Sequence, residues 1–262
     1  MSQNLGVPDF NSKLADQTVL LIGGTGGVGI AVAHALIQAG ARVFLTSSRQ
    51  QKLDSVLKLL KDQYPASRDK IDGYVCDLGE EDIEQNIINL FKQTGRPDHI
   101  IYLAGDRLPT MPISDFTPEA FAKQSQVRAI GPLLVAKHGV ALLEHSPNSS
   151  ITITSGSIAE KPIAGGWSLL AFIGAGLTGL TRQLAFDLAP IRVNCVAPGV
   201  VETDMWDGMG DGKEDFFKGV RAANCLGRVG TFEDVAEAYL YLLKDKHATG
   251  TVVHSSGGVF LK

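Results

Sequence analysis

One domain built on a doubly wound parallel α/β sheet is the fold class this sequence predicts, and three observations predict it. Short β-branched runs alternate with longer amphipathic stretches along the chain, the pattern of a parallel sheet covered by helices on both faces. The first such run passes through a glycine-rich turn directly into an apolar helix. The 262 residues, 44% hydrophobic and 20% charged, suffice for one large core or two small ones, and no linker, repeat or low-complexity segment divides them.

In chain order, a polar leader precedes a strand over Thr18–Ile22, and the helix after it spans Val28–Ala39 with Gly40 as its stop. Strands over Val43–Thr46 and Tyr74–Cys76 flank a helix over Gln50–Asp62. A helix over Glu81–Gln93 leads into the strand Ile100–Leu103. Thr117 caps the next helix, Pro118–Leu143, whose first position is a proline. The strand Ile151–Thr154, the helix Trp167–Leu188 and the strand Arg192–Val196 follow. Thr231 caps a helix over Phe232–Leu243, and the strand Thr251–His254 completes seven strands in one Rossmann-like sheet. The long irregular piece runs from Pro198 to about Arg228. Its glycines Gly199, Gly208, Gly210, Gly212 and Gly219 mark residues 198–228 as a mobile substrate-binding loop.

Charge and composition narrow the partners. With 24 basic and 28 acidic side chains the net charge is −4, which lacks the basic footprint of a nucleic-acid binder. The N-terminus MSQNLGVPDF is polar, and no uninterrupted apolar run reaches the roughly 18 residues that cross a bilayer. The expectation is neither secretion nor a membrane span, hence a cytoplasmic protein. Cys76, Cys195 and Cys225 are odd in number and far apart, so they read as small buried hydrophobes in a reducing compartment rather than a disulfide framework. The histidines His34, His99, His138, His145, His247 and His254 share no metal-ligand spacing with cysteines or carboxylates, and no metal is expected.

The turn Gly23-Gly24-Thr25-Gly26-Gly27-Val28-Gly29 carries the first chemistry. Glycine lets the backbone curl tightly and lets a pyrophosphate approach the helix N-terminus, where unpaired N–H groups favour an anion. Gly23, Thr25, Gly27, Val28 and Gly29 are therefore cofactor-binding candidates. The run reads either as G-x-x-x-G-x-G (Gly23, Gly27, Gly29) or as G-x-G-x-x-G (Gly24, Gly26, Gly29), and spacing alone does not choose. The second strand ends in Thr46-Ser47-Ser48-Arg49, where an NAD site would place an acid for the ribose 2′-hydroxyl. Ser47, Ser48 and Arg49 suit a 2′-phosphate instead, because guanidinium is a planar, permanently charged donor. NADP(H) is the expected cofactor; the ordinary alternative for Arg49 is a solvated helix-start residue.

From about Lys13 to Leu261 the chain resembles the short-chain dehydrogenase/reductase family, on landmarks that fall in order. Cys76-Asp77-Leu78 looks like the family's step after the third strand, which implies that Asp77 and Leu78 meet adenine. Leu103-Ala104-Gly105 stands where Asn-Ala-Gly ends the fourth strand, so Ala104 and Gly105 join the implied cofactor site. Ile191-Arg192-Val193-Asn194 and then Pro198-Gly199-Val200-Val201-Glu202-Thr203 look like the sixth strand and the turn on the nicotinamide side, implying roles for Pro198, Gly199, Val201 and Thr203. Ser255-Ser256-Gly257-Gly258 resembles the terminal Asp-Gly-Gly with serine for aspartate.

The resemblance breaks at the reaction centre. The family works with Asn, Ser, Tyr and Lys; the matching positions here are Arg128, Ser157, Leu170 and Gly174, with Ser155 as an alternative serine. Reducing a ketone by hydride makes an alkoxide that must be protonated, hence the tyrosine and lysine. Hydride addition to an iminium removes charge and needs no proton. Asp106, Arg128 and Ser157 are thus the catalytic candidates, and Ser155, Trp167 and Met205 the substrate-binding ones. Asp106 either sits at the nicotinamide mouth or caps the loop starting at Arg107. Arg128 either orients a carbonyl or carboxylate oxygen or pairs with Asp106, and the two are compatible. Trp167 is a flat wall for an aromatic substrate or a core or interface residue. Glu160 and Lys161 are further proton-transfer candidates, although their charge fits a solvated loop.

Ala104-Gly105-Asp106, Val127-Arg128, Thr154-Ser155-Gly156-Ser157, Gly166-Trp167-Ser168-Leu169 and Ala236-Glu237-Ala238-Tyr239-Leu240-Tyr241 resemble a divergent fungal branch of the family. That branch comprises NADPH-dependent reductases with Diels–Alderase activity in prenylated indole alkaloid (malbrancheamide-type) pathways, and it also lacks the Tyr/Lys pair. It carries an aspartate shortly before the tryptophan, where this chain has Ile163-Ala164-Gly165-Gly166. The resemblance implies an NADP(H)-dependent oxidoreductase reducing an iminium or related C=N substrate in specialised metabolism. The alternatives are a redox-neutral cyclase that uses bound NADP as a structural wall, and a nucleotide-binding pseudoenzyme. The apolar stretch Leu169 to Leu177 exceeds what a one-sided surface helix needs, and a homo-oligomer, dimer or tetramer, is expected.

Overall fold

A computed structural model describes residues 10, 12–105, 110–203, 206, 210 and 212–262. Its strands are β1 (Thr18–Ile22), β2 (Arg42–Ser47), β3 (Ile71–Val75), β4 (His99–Tyr102), β5 (Ser150–Thr154), β6 (Arg192–Pro198) and β7 (Val252–Ser255). They form one parallel sheet in the order β3-β2-β1-β4-β5-β6-β7. The winding reverses between β1 and β4, which pair from Val19↔His99 to Ile22↔Tyr102. In such sheets the ligand crevice opens there, beyond the carboxyl ends of the strands. Val19 to Ile22 are wholly buried, as a strand covered on both faces must be.

The helices are α1 (Gly27–Gln38), α2 (Gln50–Gln63), α3 (Ile83–Thr94), α4 (Pro118–Ser125), α5 (Gly131–Gly139), α6 (Ser168–Asp187), α7 (Gly212–Ala223) and α8 (Phe232–Lys244). In α1, Gly29, Val32, Ala33, Leu36 and Ile37 are buried, one face at helical spacing. With α2 and α8 it covers one side of the sheet; α3, α5 and α6 cover the other. Among the described residues α6 is the one helix long and apolar enough to cross a membrane by length and composition. Its Leu169, Leu170, Ile173, Gly174, Leu177, Thr178 and Thr181 are buried in this fold.

Two helix ends are capped as expected. Thr117 Oγ1 accepts from Ala120 N at 3.1 Å, and Thr231 and Asp234 form a reciprocal capping box. Buried Arg192 donates to the carbonyls of Leu242, Leu243 and Asp245 at the end of α8, and to Pro147 and Ala248. A guanidinium there satisfies orphan carbonyls and complements the helix dipole.

Three expectations are corrected. The helix expected over Pro118–Leu143 is divided: a π-helical turn, Gln126–Ile130, separates α4 from α5. Pro132 has no N–H for the carbonyl four residues earlier, so an unbroken α-helix cannot run through it. The stretch expected to be irregular holds α7, whose buried Phe217 and first-turn Glu214 and Asp215 outweigh its glycines. Cys225 is exposed rather than buried, whereas Cys76 and Cys195 are buried.

Candidate active site

The glycine turn resolves its own spacing. Gly23 has φ +86°, and a Cβ on it would fall 2.6 Å from the backbone N and Cα of Ala104. A Cβ on Gly29 would fall 2.7 Å from the backbone of Gly24, and the Phe232 ring occupies the place of one on Gly27. A Cβ on Gly24 would likewise fall 2.9 Å from Leu21 Cβ, whereas Gly26 has no neighbour within 4 Å, so Gly23, Gly27 and Gly29 are all closely approached and the alternative spacing lacks a constraint at Gly26. Thr46 Oγ1, at the end of β2, accepts from Gly23 N at 3.0 Å and holds the turn. Gly26 caps α1 without a side chain, and no acid lies in its first turn, which leaves N–H groups facing an incoming anion.

The turn is one wall of a cleft of about 710 Å³. Every described residue expected to bind cofactor lines it: Gly23, Thr25, Gly27, Val28, Gly29, Ser47, Ser48, Arg49, Asp77, Leu78, Ala104, Gly105, Pro198, Gly199, Val201 and Thr203. Lys52 lines it as well, one helical turn beyond Arg49, and sequence reasoning missed it although i, i+3 spacing puts both cations on one face. Asp77 is the one carboxylate among the described lining residues, and its Oδ1 accepts from Gly79 N at 2.8 Å. Gly199 packs on Ser256, so the Pro-Gly turn and the terminal Ser-Gly-Gly motif meet. A dinucleotide with an extra phosphate fits this lining: a glycine cradle at its middle and two cations at one end.

At the other end stand Arg128, Ser155, Ser157, Trp167, Leu170 and Gly174. Asp106 and Met205 lie outside the described residues. Ser155 Oγ donates to Gly174 O at 2.9 Å, whereas no hydrogen bond among the described residues engages Ser157 Oγ. Ser157 is therefore the available hydroxyl and Ser155 a structural one. Gly174 is tightly backed: a Cβ there would lie 3.3 Å from Ser155 Oγ and 3.4 Å from Ala159 Cβ. The Gly105 Cα lies against the Arg128 guanidinium, 2.9 Å from both Nη to where a Cβ would be. Cys76 also lines the cleft, but burial, and secondarily Asp77, push its thiol up to about 11, so it is no nucleophile at neutral pH.

Trp206 was not singled out from sequence, yet it lines the cleft and is 8% exposed. Its Nε1 donates to Val201 O at 2.7 Å. Its ring stands 6.0 Å from that of Trp167 and 4.7 Å from that of Phe216, centroid to centroid. Trp167 is thus part of an aromatic wall whose other panels come from 30 residues or more downstream. Glu160 and Lys161 face elsewhere, toward His254 and the Lys262 carbonyl.

A family model described as an SDR-like Rossmann domain matches residues 10–262. The chain is 40% identical to the short-chain dehydrogenase/reductase fsr5 of Gibberella fujikuroi, over 96% of this chain and 97% of that protein. It is 40% identical to the short-chain dehydrogenase/reductase malC of Malbranchea aurantiaca, over 95% and 96%. The solved structure of the MalC reductase/Diels-Alderase from Malbranchea aurantiaca superposes with a TM-score of 0.91 at 38% identity, covering 97% of this chain and all (100%) of that one. A small-chain dehydrogenase solved in complex with NADPH gives a TM-score of 0.77 at 26% identity, covering 94% and 100%.

Proposed function

The chain belongs to the short-chain dehydrogenase/reductase family, and from that premise we propose that it is an NADPH-dependent reductase of an iminium or related C=N substrate in alkaloid-like specialised metabolism. One observation carries the reading. Leu170 and Gly174, at the positions where the family's tyrosine and lysine stand by resemblance, both line the reaction end of the cleft, and neither bears a titratable group.

The glycine cradle and the first turn of α1 would hold the pyrophosphate of NADPH, and Ser47, Ser48, Arg49 and Lys52 would take its 2′-phosphate. The cofactor, when bound, supplies a hydride. An iminium carbon that gains the hydride leaves its π electrons on nitrogen as a lone pair, so a neutral amine forms without a proton donor. A ketone at the same place needs a proton that Leu170 and Gly174 cannot give. Trp167 and Trp206 offer aromatic faces to a flat or cationic substrate. Arg128 and the Ser157 hydroxyl can donate to a carbonyl oxygen elsewhere on the substrate and orient it.

A second reading, redox-neutral cyclisation, is favoured by the similarity to the MalC reductase/Diels-Alderase. Against it, the loop before Trp167 carries glycines at 165 and 166 and no carboxylate from Ile163 onward. NADPH consumption against cyclic iminium compounds, with matched ketones as controls, tests the first reading. Consumption with iminium alone is expected; product formed with oxidised cofactor and no net redox change would transfer the assignment to the second.

The protein is further proposed to act as a homo-oligomer in the cytoplasm, with a small molecule and neither nucleic acid nor membrane as partner. Exposed Phe172 and Phe186 on α6, with Ile130 and Leu133 on the neighbouring segment, support association of copies.

A further inference from the structure

The π-helical turn at Gln126–Ile130 has a hydrogen-bond consequence that reaches the reaction end of the cleft. In an α-helix the Gly131 N–H would bond to the carbonyl of Val127, four residues back. Here it bonds to the carbonyl of Gln126 instead, which leaves the Val127 carbonyl without its helical donor. The hydroxyl of Tyr102, from the end of β4, donates to that carbonyl. Tyr102 is 2% exposed, so water cannot easily replace it. Gly131 makes the approach possible: a Cβ there would collide with the Tyr102 hydroxyl. The other flank is pinned too, by Gln126 Nε2 donating to Leu78 O at 3.0 Å and Glu80 O at 2.7 Å in the loop that borders the cofactor cleft.

Arg128 is the residue this joint carries into the cleft. Its guanidinium fits against the bare Cα of Gly105. A return to α-helical winding would rotate Arg128 about the helix axis and withdraw the guanidinium from that place. We propose that Tyr102 is a positioning residue whose hydroxyl stabilises the π-helical turn and thereby sets the Arg128 guanidinium against Gly105. The proposal rests on the reading of Arg128 as the substrate-orienting group. An alanine at Gly131 would clash with the same hydroxyl and displace it, so two independent substitutions address one contact.

The test uses the full-length chain and its Tyr102→Phe and Gly131→Ala variants. Phenylglyoxal modification of Arg128 is followed by peptide mass spectrometry, beside kcat/KM for an iminium substrate and the Kd for NADPH. Loss of a buried hydrogen bond to the turn is expected to raise the Arg128 modification rate at least about threefold in both variants and to lower kcat/KM about tenfold, with NADPH affinity held within about twofold. In an Arg128→Ala background Tyr102→Phe is expected to cost nothing further, because a group acting only through Arg128 has nothing left to position. Unchanged Arg128 reactivity in both folded variants overturns the proposal. So does an equal kcat/KM loss with and without Arg128, which would mark Tyr102 as merely structural. If the wild-type chain turns over no iminium, the function reading fails while the modification rates still decide the role of Tyr102.

Discussion

Arg49 and Lys52 put two cations at the end of β2 where an acidic residue would serve a free ribose hydroxyl, and a 2′-phosphate is dianionic or nearly so at neutral pH. Replacing both by alanine is expected to weaken NADPH binding by roughly 10- to 100-fold, the loss of charge-assisted hydrogen bonds, and to change NADH binding by less than about threefold. Isothermal titration with each cofactor checks it; equal weakening of both would mean these side chains hold something other than the phosphate. Arg49 was legible in the sequence because it directly follows the strand. Lys52 was overlooked although the helix expected from Gln50 already places it three residues after Arg49; that it borders the cleft is shown only by the fold. For the serines, the resemblance put Ser157 at the family position with Ser155 as the alternative, and the bond from Ser155 to the Gly174 carbonyl, which occupies the alternative, is invisible in the sequence.

At the scale of elements, the seven strands and most helices were legible because each carries its own hydrophobic period. The division of the helix expected over Pro118–Leu143 was missed: Gly131-Pro132 carries the signal for a break, but its form involves a bond from Tyr102 to Val127, 25 residues apart in sequence and in different elements. Helix α7 was hidden by glycines, which signal loops unless a buried aromatic outweighs them, as Phe217 does. Arg192 reads as one residue of a strand motif, yet it is the clamp between β6 and the end of α8. Arg192→Ala would leave several buried carbonyls unpaired and is expected to cost about 3 kcal/mol or more. Chemical denaturation checks this; a loss below about 1 kcal/mol would show that water substitutes for the guanidinium.

For the molecule as a whole, stability should depend on pH through His99. Burial first, then Arg192 and Lys246, lower its pKa to about 3, and its ring nitrogens bond to Ser150 Oγ and Gln17 Oε1. The unfolded chain binds a proton at His99 below its ordinary value of 6.5, whereas the folded chain stays neutral down to about 3. Stability is therefore expected to fall as pH drops through that window, and His99→Gln to flatten the decline. Asp234 acts in a lower window: Arg228 beside it, and then the Thr231 backbone N–H, hold its carboxyl at about 2, so its contribution is lost only between 3.8 and about 2. Unfolding midpoints measured across both ranges separate the two; identical pH profiles for wild type and His99→Gln would remove His99 from the account. The exposed apolar face around Phe172 and Phe186 leads to a dimer or tetramer by light scattering at micromolar concentration, and a monomer there would count against the proposed assembly. The central claim is hydride delivery to C=N without a tyrosine, and it is tested most directly with deuterium-labelled NADPH and a cyclic iminium, the amine product being read by mass spectrometry. The account expects one deuterium on the former iminium carbon and no alcohol from the matched ketone; deuterated alcohol, or an amine product without deuterium, would contradict it.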